Sequence, residues 1–246
     1  MIVFQDKEKE LAHNKEILQN PELFWGWDTP AGKLRARRRA DMIITEIKKK
    51  NASKILEIGS GTGLFTKFFQ ESGLKMHGMD ISLDLLEKAK SKYSIQSRPQ
   101  FSVADAEYLP YKSNSFDAVV GVCVLHHLNL EGTLKEIKRV LRQDGIILFS
   151  EPNMMNPQLM IQKNIKPIKK IAILGETEDE TAFFRWKLKR QLEKLGFNDV
   201  SIRPFDFLHP WTPKAFIPHI IKLGACLEKT PFLKEIAGSL FISAVK

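Results

Sequence analysis

Between residues 54 and 150 the apolar positions come in short runs, each followed by a stretch whose apolar residues recur every three or four places. Short apolar runs bounded by Gly, Asp or Asn predict buried strands, and the longer periodic stretches predict amphipathic helices. Strands are expected at 54–58, 74–79, 100–103, 116–124 and 145–150, with helices at 64–72, 83–92 and 131–142 between them. The run at 116–124 is almost wholly apolar, as in a strand covered on both faces. This alternation argues for a doubly wound α/β fold, a mostly parallel sheet with right-handed crossovers.

The flanks follow a different pattern. Residues 6–19 and 33–50 predict helices, the second with Ala36, Ala40, Ile43, Ile44 and Ile47 on one face. Between them runs F-W-G-W-D-T-P-A-G, residues 24–32, expected as a loop. Residues 1–50 are therefore expected to form an N-terminal helical flap and 51–246 the main domain, with its core at 54–151. After Pro152 a helix is expected at 181–195 and strands at 197–205 and 239–246. Residues 206–237 separate those two strands by far more than the usual hairpin loop of about two to five residues. With residues 153–175 they are expected to cap one end of the sheet.

At 43% apolar and 27% charged residues the chain can bury a sizeable core, which excludes a disordered or collagen-like class. Two cysteines are too few for a disulfide framework. The start turns polar after four residues and charged from Asp6, unlike a signal peptide, and the densest apolar run, 118–125, is far shorter than the ~20 residues that span a bilayer. A soluble, cytoplasmic protein is expected. The net charge of +9 is uneven: +4 over residues 1–54, −1 over 55–152 and +6 over 153–246. Basic flanks suit an anionic partner or a solvated surface.

The densest chemistry lies in I-L-E-I-G-S-G-T-G-L-F-T, residues 55–66. Gly59, Gly61 and Gly63 fall between a strand and a helix start, where backbone can approach a ligand closely. A dinucleotide fingerprint would need Gly or Ala at 64, and Leu64 stands there. A ligand without a pyrophosphate fits better. Asp80 at the second strand's end suits a ribose diol, Asp105 after the third suits an adenine amino group, and Glu57 suits an amino group or cation. A nucleoside joined to a cation describes S-adenosylmethionine. No metal-ligand set is expected.

Residues 55–151 resemble the cofactor core of the class I S-adenosylmethionine-dependent methyltransferases. The motifs E-I-G-S-G-T-G, G-M-D-I-S, A-D-A-E-Y-L-P, F-D-A-V-V-G-V-C-V-L-H-H-L and L-K-E-I-K-R-V-L-R-Q-D-G-I-I-L-F-S-E-P occur in family order, and the later ones are similar to the small-molecule, type 11 branch. The resemblance implies a seven-stranded sheet of order 3-2-1-4-5-7-6 with the last strand antiparallel. It implies Gly59, Ser60 and Gly61 at the methionine part, Asp80 on the ribose, Ile81 against the adenine, Asp105 and Ala106 at the adenine edge, and Val122 lining the pocket.

His126, His127 and Glu151 fall where the fourth and fifth strands end, the rim at which open α/β sheets bind ligands, and are the candidates for a general base. Arg39, with Arg35 a turn earlier, could pair with the methionine carboxylate or an acidic acceptor. The expected reaction is methyl transfer to a small-molecule or lipid-like acceptor. The rivals are an RNA or protein methyltransferase and a non-catalytic S-adenosylmethionine-binding regulatory protein. E-P-N-M-M-N-P differs from the N-P-P-F/Y motif of nucleic-acid amino methylation, so nucleic acid is disfavoured. The apolar and Lys-rich stretch 161–173 and the amphipathic stretch 217–227 suggest peripheral contact with an anionic membrane.

Overall fold

The protein is described here by a computed structural model over residues 7–94, 99–164 and 182–246. Seven strands form one sheet: β1 (Lys54–Ile58), β2 (Lys75–Asp80), β3 (Gln100–Val103), β4 (Phe116–Val122), β5 (Leu141–Pro152), β6 (Asn198–Phe205) and β7 (Ser239–Val245). Their order is β3-β2-β1-β4-β5-β7-β6. The first five pair in parallel, and β7 runs antiparallel to both β5 and β6. The expected fold class and strand order are therefore those of the molecule.

Strand periodicity explains why this sheet is buried on both faces. Ile55, Ala118, Val120, Ile146 and Leu148 point to one side. They pack there on Ile43, Ile44 and Ile47 of α3 (Pro30–Lys49) and on Phe65 and Phe69 of α4 (Leu64–Glu71). Their neighbours Leu56, Val119, Ile147 and Phe149 point to the other side. That face is covered by Leu134 and Ile137 of α6 (Leu130–Val140) and by Leu188 and Leu192 of a helix at Arg185–Lys194. Asp117 ties the start of β1 to β4 by accepting from the Ser53 and Lys54 amides at 3.0 and 2.8 Å.

The remaining helices are α1 (Lys7–Glu16), α2 (Pro21–Phe24), α5 (Leu83–Ser91), α7 (Pro157–Asn164) and, after the Arg185–Lys194 helix α8, α9 (Ile217–Leu227). Two expectations shift locally. The loop expected at 24–32 is instead α2, a short turn, and the start of α3. Asn20 and Thr29 each cap a helix whose first residue is proline, the arrangement in which proline's missing N–H costs nothing. The helix expected to run to 142 stops at Val140, because Leu141 already pairs with Phe116 and the strand then bulges before Ala118. Of the expected cap, residues 165–175 lie outside the described residues, as do 165–173 of the lysine-rich stretch and the helix start at 181.

The segment from 206 to 238 returns to the sheet through the flap. Leu208 and Ile217 pack on Ala31, and Thr29 Oγ1 donates to the Pro210 carbonyl at 2.5 Å. Asn153, just past β5, donates to the Glu235 and Ala237 carbonyls, both at 2.8 Å. The cap is thus fastened to the C-terminal rim of the sheet at both ends.

Candidate active site

From Ile58 the chain turns through Gly59, Ser60, Gly61, Thr62 and Gly63 into α4. The three glycines take φ of +68°, +48° and +75°, the left-handed region that a Cβ disfavours. A Cβ on Gly59 would also lie 2.4 Å from Val124 Cγ2, so the turn rests against the segment that follows β4. A Cβ on Gly61 would meet only the Trp25 ring, at 3.6 Å. The floor of the turn is sheet, and its roof is the flap.

Asp80, the last residue of β2, holds this turn. Its Oδ2 accepts from the Gly61 amide at 2.8 Å and its Oδ1 from the Ser82 amide at 2.9 Å. The Ser60 amide donates to the Met79 carbonyl, and the Ala104 amide to the Asp80 carbonyl, which gathers the ends of β1, β2 and β3. Ile81 is half-buried and Ala106 buried beside them, with Val122 buried at the end of β4. Ser60 Oγ is buried with no hydrogen-bond partner among the described residues.

Glu57 shares a face with Ile55 and so points toward α4, where it accepts from Thr66 Oγ1 at 2.5 Å. Burial pushes its carboxyl up to about 8, and the Asp80 charge pushes the same way against the Thr66 hydrogen bond. A buried acid of this kind, an orphaned hydroxyl and a glycine turn open to the flap fit a small ligand carrying positive charge.

The flap contributes contacts that sequence periodicity missed. Lys7 of α1 pairs with Asp105 at 2.5 Å and with Glu107 at 3.0 Å. Glu22 of α2 accepts from Thr62 Oγ1 at 2.7 Å and pairs with Lys92. These partners are separated by 98 residues for Lys7 and Asp105 and by 40 for Thr62 and Glu22. No local signal could have announced them.

On the neighbouring rim the chain leaves β4 through Cys123, which has φ +53° and donates its amide to the Ser150 carbonyl. Glu151 of β5 is wholly buried beneath this turn. Its Oε1 accepts from the Val124 and Leu125 amides at 3.0 and 2.9 Å, and its Oε2 lies 2.7 Å from His126 Nδ1. The His126 ring lies against His127, tilted by 39° with centroids 4.1 Å apart. All three candidates for the base therefore belong to one cluster.

Arg39 is placed elsewhere. It has no exposed surface, pairs with Asp206 at 2.8 Å and donates to Ser239 Oγ at 2.6 Å and the Arg35 carbonyl at 3.1 Å. Arg35 uses Nε on the same Asp206 at 2.9 Å and lies over the Trp27 ring. Burial alone would raise the Asp206 carboxyl, but the two guanidinium charges overcome it and hold it down to about 2.

Comparison with known proteins bears on the same residues. Positions 56–149 match the family model of the Methyltransferase domain. A malonyl-[acyl-carrier protein] O-methyltransferase of Hamiltonella defensa is 35% identical over 161 residues, covering 63% of this chain and 60% of that protein. A demethylmenaquinone methyltransferase of Staphylococcus saprophyticus is 29% identical over 183 residues, or 66% and 78%. This chain spans only 43–60% of the length of the malonyl-[acyl-carrier protein] enzymes it matches. In fold it is similar to an S-adenosylmethionine-dependent methyltransferase of Thermotoga maritima, with a TM-score of 0.62 at 18% identity over 95% of this chain and 99% of the other. Sheet order, glycine turn and strand-end acids coincide with the matched stretch: residues 56–149 form a methyltransferase domain, similar to that of small-molecule S-adenosylmethionine-dependent methyltransferases.

Proposed function

We propose that this protein transfers a methyl group from S-adenosylmethionine to a small-molecule or lipid-like acceptor, with His126 as the base and Glu151 as the residue that orients it. Bound in the turn, S-adenosylmethionine supplies a methyl group already activated by the sulfonium charge. The Gly59–Gly63 turn and Ser60 would hold its methionine part, Asp80 its ribose hydroxyls, and Ile81, Asp105 and Ala106 its adenine. A carboxylate offers about four acceptor positions, so Asp80 can serve the turn and a ribose together. Glu57 would face the cationic end. Lys7 and Glu22 would hold the flap against the site and exclude water.

The observation that carries the catalytic part is the buried Glu151–His126 contact of 2.7 Å. A carboxylate beside Nδ1 holds the proton on that nitrogen, which leaves Nε2 as the basic position. Because Glu151 also binds the Val124 and Leu125 amides, it fixes the ring and the backbone together. An acceptor hydroxyl or acidic carbon placed at Nε2 would lose its proton as the new bond to methyl forms. The acceptor class is supported by the relatives named above, a malonyl-[acyl-carrier protein] O-methyltransferase and a demethylmenaquinone methyltransferase. Arg35, whose Nε is taken by Asp206 and whose side chain is less buried than that of Arg39, is the cation we assign to an acceptor or methionine carboxylate.

Glu151→Gln is the decisive variant. The amide oxygen can keep both backbone hydrogen bonds while its NH₂ donates to Nδ1, which moves the ring proton to Nε2 and removes the base. Methyl transfer from labelled donor into fractionated cell extract should fall by about 10²–10⁴-fold, the usual worth of general base catalysis. Affinity for S-adenosylhomocysteine should not change. Equal rates in the two proteins would reduce Glu151 to a brace, and tight donor binding without any transfer would favour the regulatory rival.

A further inference from the structure

We infer that the segment joining β6 to β7 is an interfacial surface by which this protein sits on an anionic lipid bilayer. The inference deepens the methyl-transfer reading and rests on it only for what the surface delivers. Between residues 206 and 238 the chain places Lys214, Lys222, Lys229 and Lys234 against three acids, Asp206, Glu228 and Glu235. Each of the three is already taken by arginine: Asp206 by Arg35 and Arg39, Glu228 by Arg38 through two hydrogen bonds of 2.8 and 2.6 Å, and Glu235 by Arg185. The same segment exposes Trp211, Phe216, Ile221, Leu223, Phe232 and Leu233. On α9 the inward positions Ile217 and Gly224 are buried, so the exposed isoleucine and leucine are not its core face.

Phe232 is the most informative of these residues. It leaves 87% of its surface in solvent and takes φ +66°, a backbone region that a bulky side chain rarely enters. The positive φ costs stability and the largely exposed ring returns none of it by burial, and such features persist where they serve contact with something outside the fold. At a bilayer the rings and branched side chains enter the headgroup boundary, and the lysines meet anionic lipid while their stems lie along the apolar layer. A second copy of the chain fits worse, because a self-complementary contact would set these lysines against themselves. The segment is bonded to the flap through Thr29 and Pro210. A membrane-seated cap would therefore bring the acceptor side of the site to the lipid, where an acceptor with a long apolar tail resides.

The test is sedimentation of the full chain with vesicles of phosphatidylcholine alone and with phosphatidylglycerol added. Binding is expected to the anionic vesicles only, and to weaken at least tenfold in high salt. Phe232→Gly suits the positive φ, so it should melt at or above the parent temperature while weakening vesicle binding about tenfold or more. The pair Lys222→Glu and Lys229→Glu should weaken it further. Absence of anionic-vesicle binding, equal binding to neutral vesicles, or unchanged binding by Phe232→Gly would overturn the proposal. So would a dimer in sedimentation velocity that Phe232→Gly dissolves. Calorimetry with S-adenosylhomocysteine separates the two readings, since a protein that binds it but ignores vesicles loses only the surface.

Discussion

The glycine turn at 59–63 and the segment at 206–238 occupy the same rim of the sheet and are built by opposite means. The turn is local: three positive-φ glycines, a strand-end aspartate 19 residues on, and a helix that starts at once. Its partners are fixed wherever a strand, this turn and a helix follow one another, because backbone conformation does most of the positioning. The cap segment has no such internal logic. It is positioned by Asn153, by Thr29 and by the buried Arg35–Asp206–Arg39 group, partners contributed by distant parts of the chain. One region is held by its own neighbours in the chain, and the other by partners from elsewhere in it.

Substitutions in the two regions should therefore fail differently. Gly61→Arg should abolish S-adenosylhomocysteine binding in calorimetry, since a long side chain at φ +48° would fill the space beneath Trp25. The folded state should survive by circular dichroism, because nothing but Trp25 lies against that position. Retained affinity would break the assignment of the turn. Asp206→Ala should do the reverse. Removing the carboxylate leaves two buried guanidinium groups uncompensated, at about 3–5 kcal/mol of stability, read from urea unfolding. The sign with pH follows from the depressed Asp206 carboxyl. Its contribution is present above the ordinary value near 3.8 and is lost as the pH falls toward about 2, so the parent protein's acid midpoint should move upward in a weaker-paired variant such as Arg35→Gln.

A smaller effect sharpens the comparison at the turn itself. The Glu57 carboxyl is raised to about 8, so it is mostly protonated near neutrality in the free protein. A cation bound beside it lowers that value and expels the proton. Affinity for S-adenosylmethionine should accordingly rise by up to tenfold per pH unit below about 8 and level off above it. Calorimetry in buffers of differing ionisation enthalpy should record release of close to one proton, and none in Glu57→Gln. For the free protein the raised value has the opposite sign. Its stability is highest below the ordinary carboxyl range and falls as the pH rises through about 8, and Glu57→Gln should flatten that decline.

Most of the sheet was legible because strands buried on both faces leave apolar runs too short for a helix and bounded by turn residues, as at 116–122. Helix starts were legible where a cap stood alone, as at Ser82. They were missed at Thr29-Pro30, where the proline reads as a loop former although it stands at the first helical position. Among site residues, Glu57, Gly59, Gly61 and Asp80 could be placed because their spacing is set by one strand, one turn and the next strand. Arg39 shows the limit. Its place on the helix offered it to the methionine carboxylate or an acidic acceptor, but Asp206, beyond any local window, takes its charge into the core.

The sequence alone therefore determined the alternation of strands and helices, the order of the cofactor motifs and the residues of the glycine turn. Each depends on hydrophobic period or on backbone freedom within a few neighbouring positions. Only the tertiary structure decided that Glu151 holds His126, that Lys7 reaches Asp105 and that Asp206 neutralises two arginines. Those pairings join chain segments whose meeting is set by sheet topology, and an ionisable side chain acquires its role from the charge that burial brings beside it.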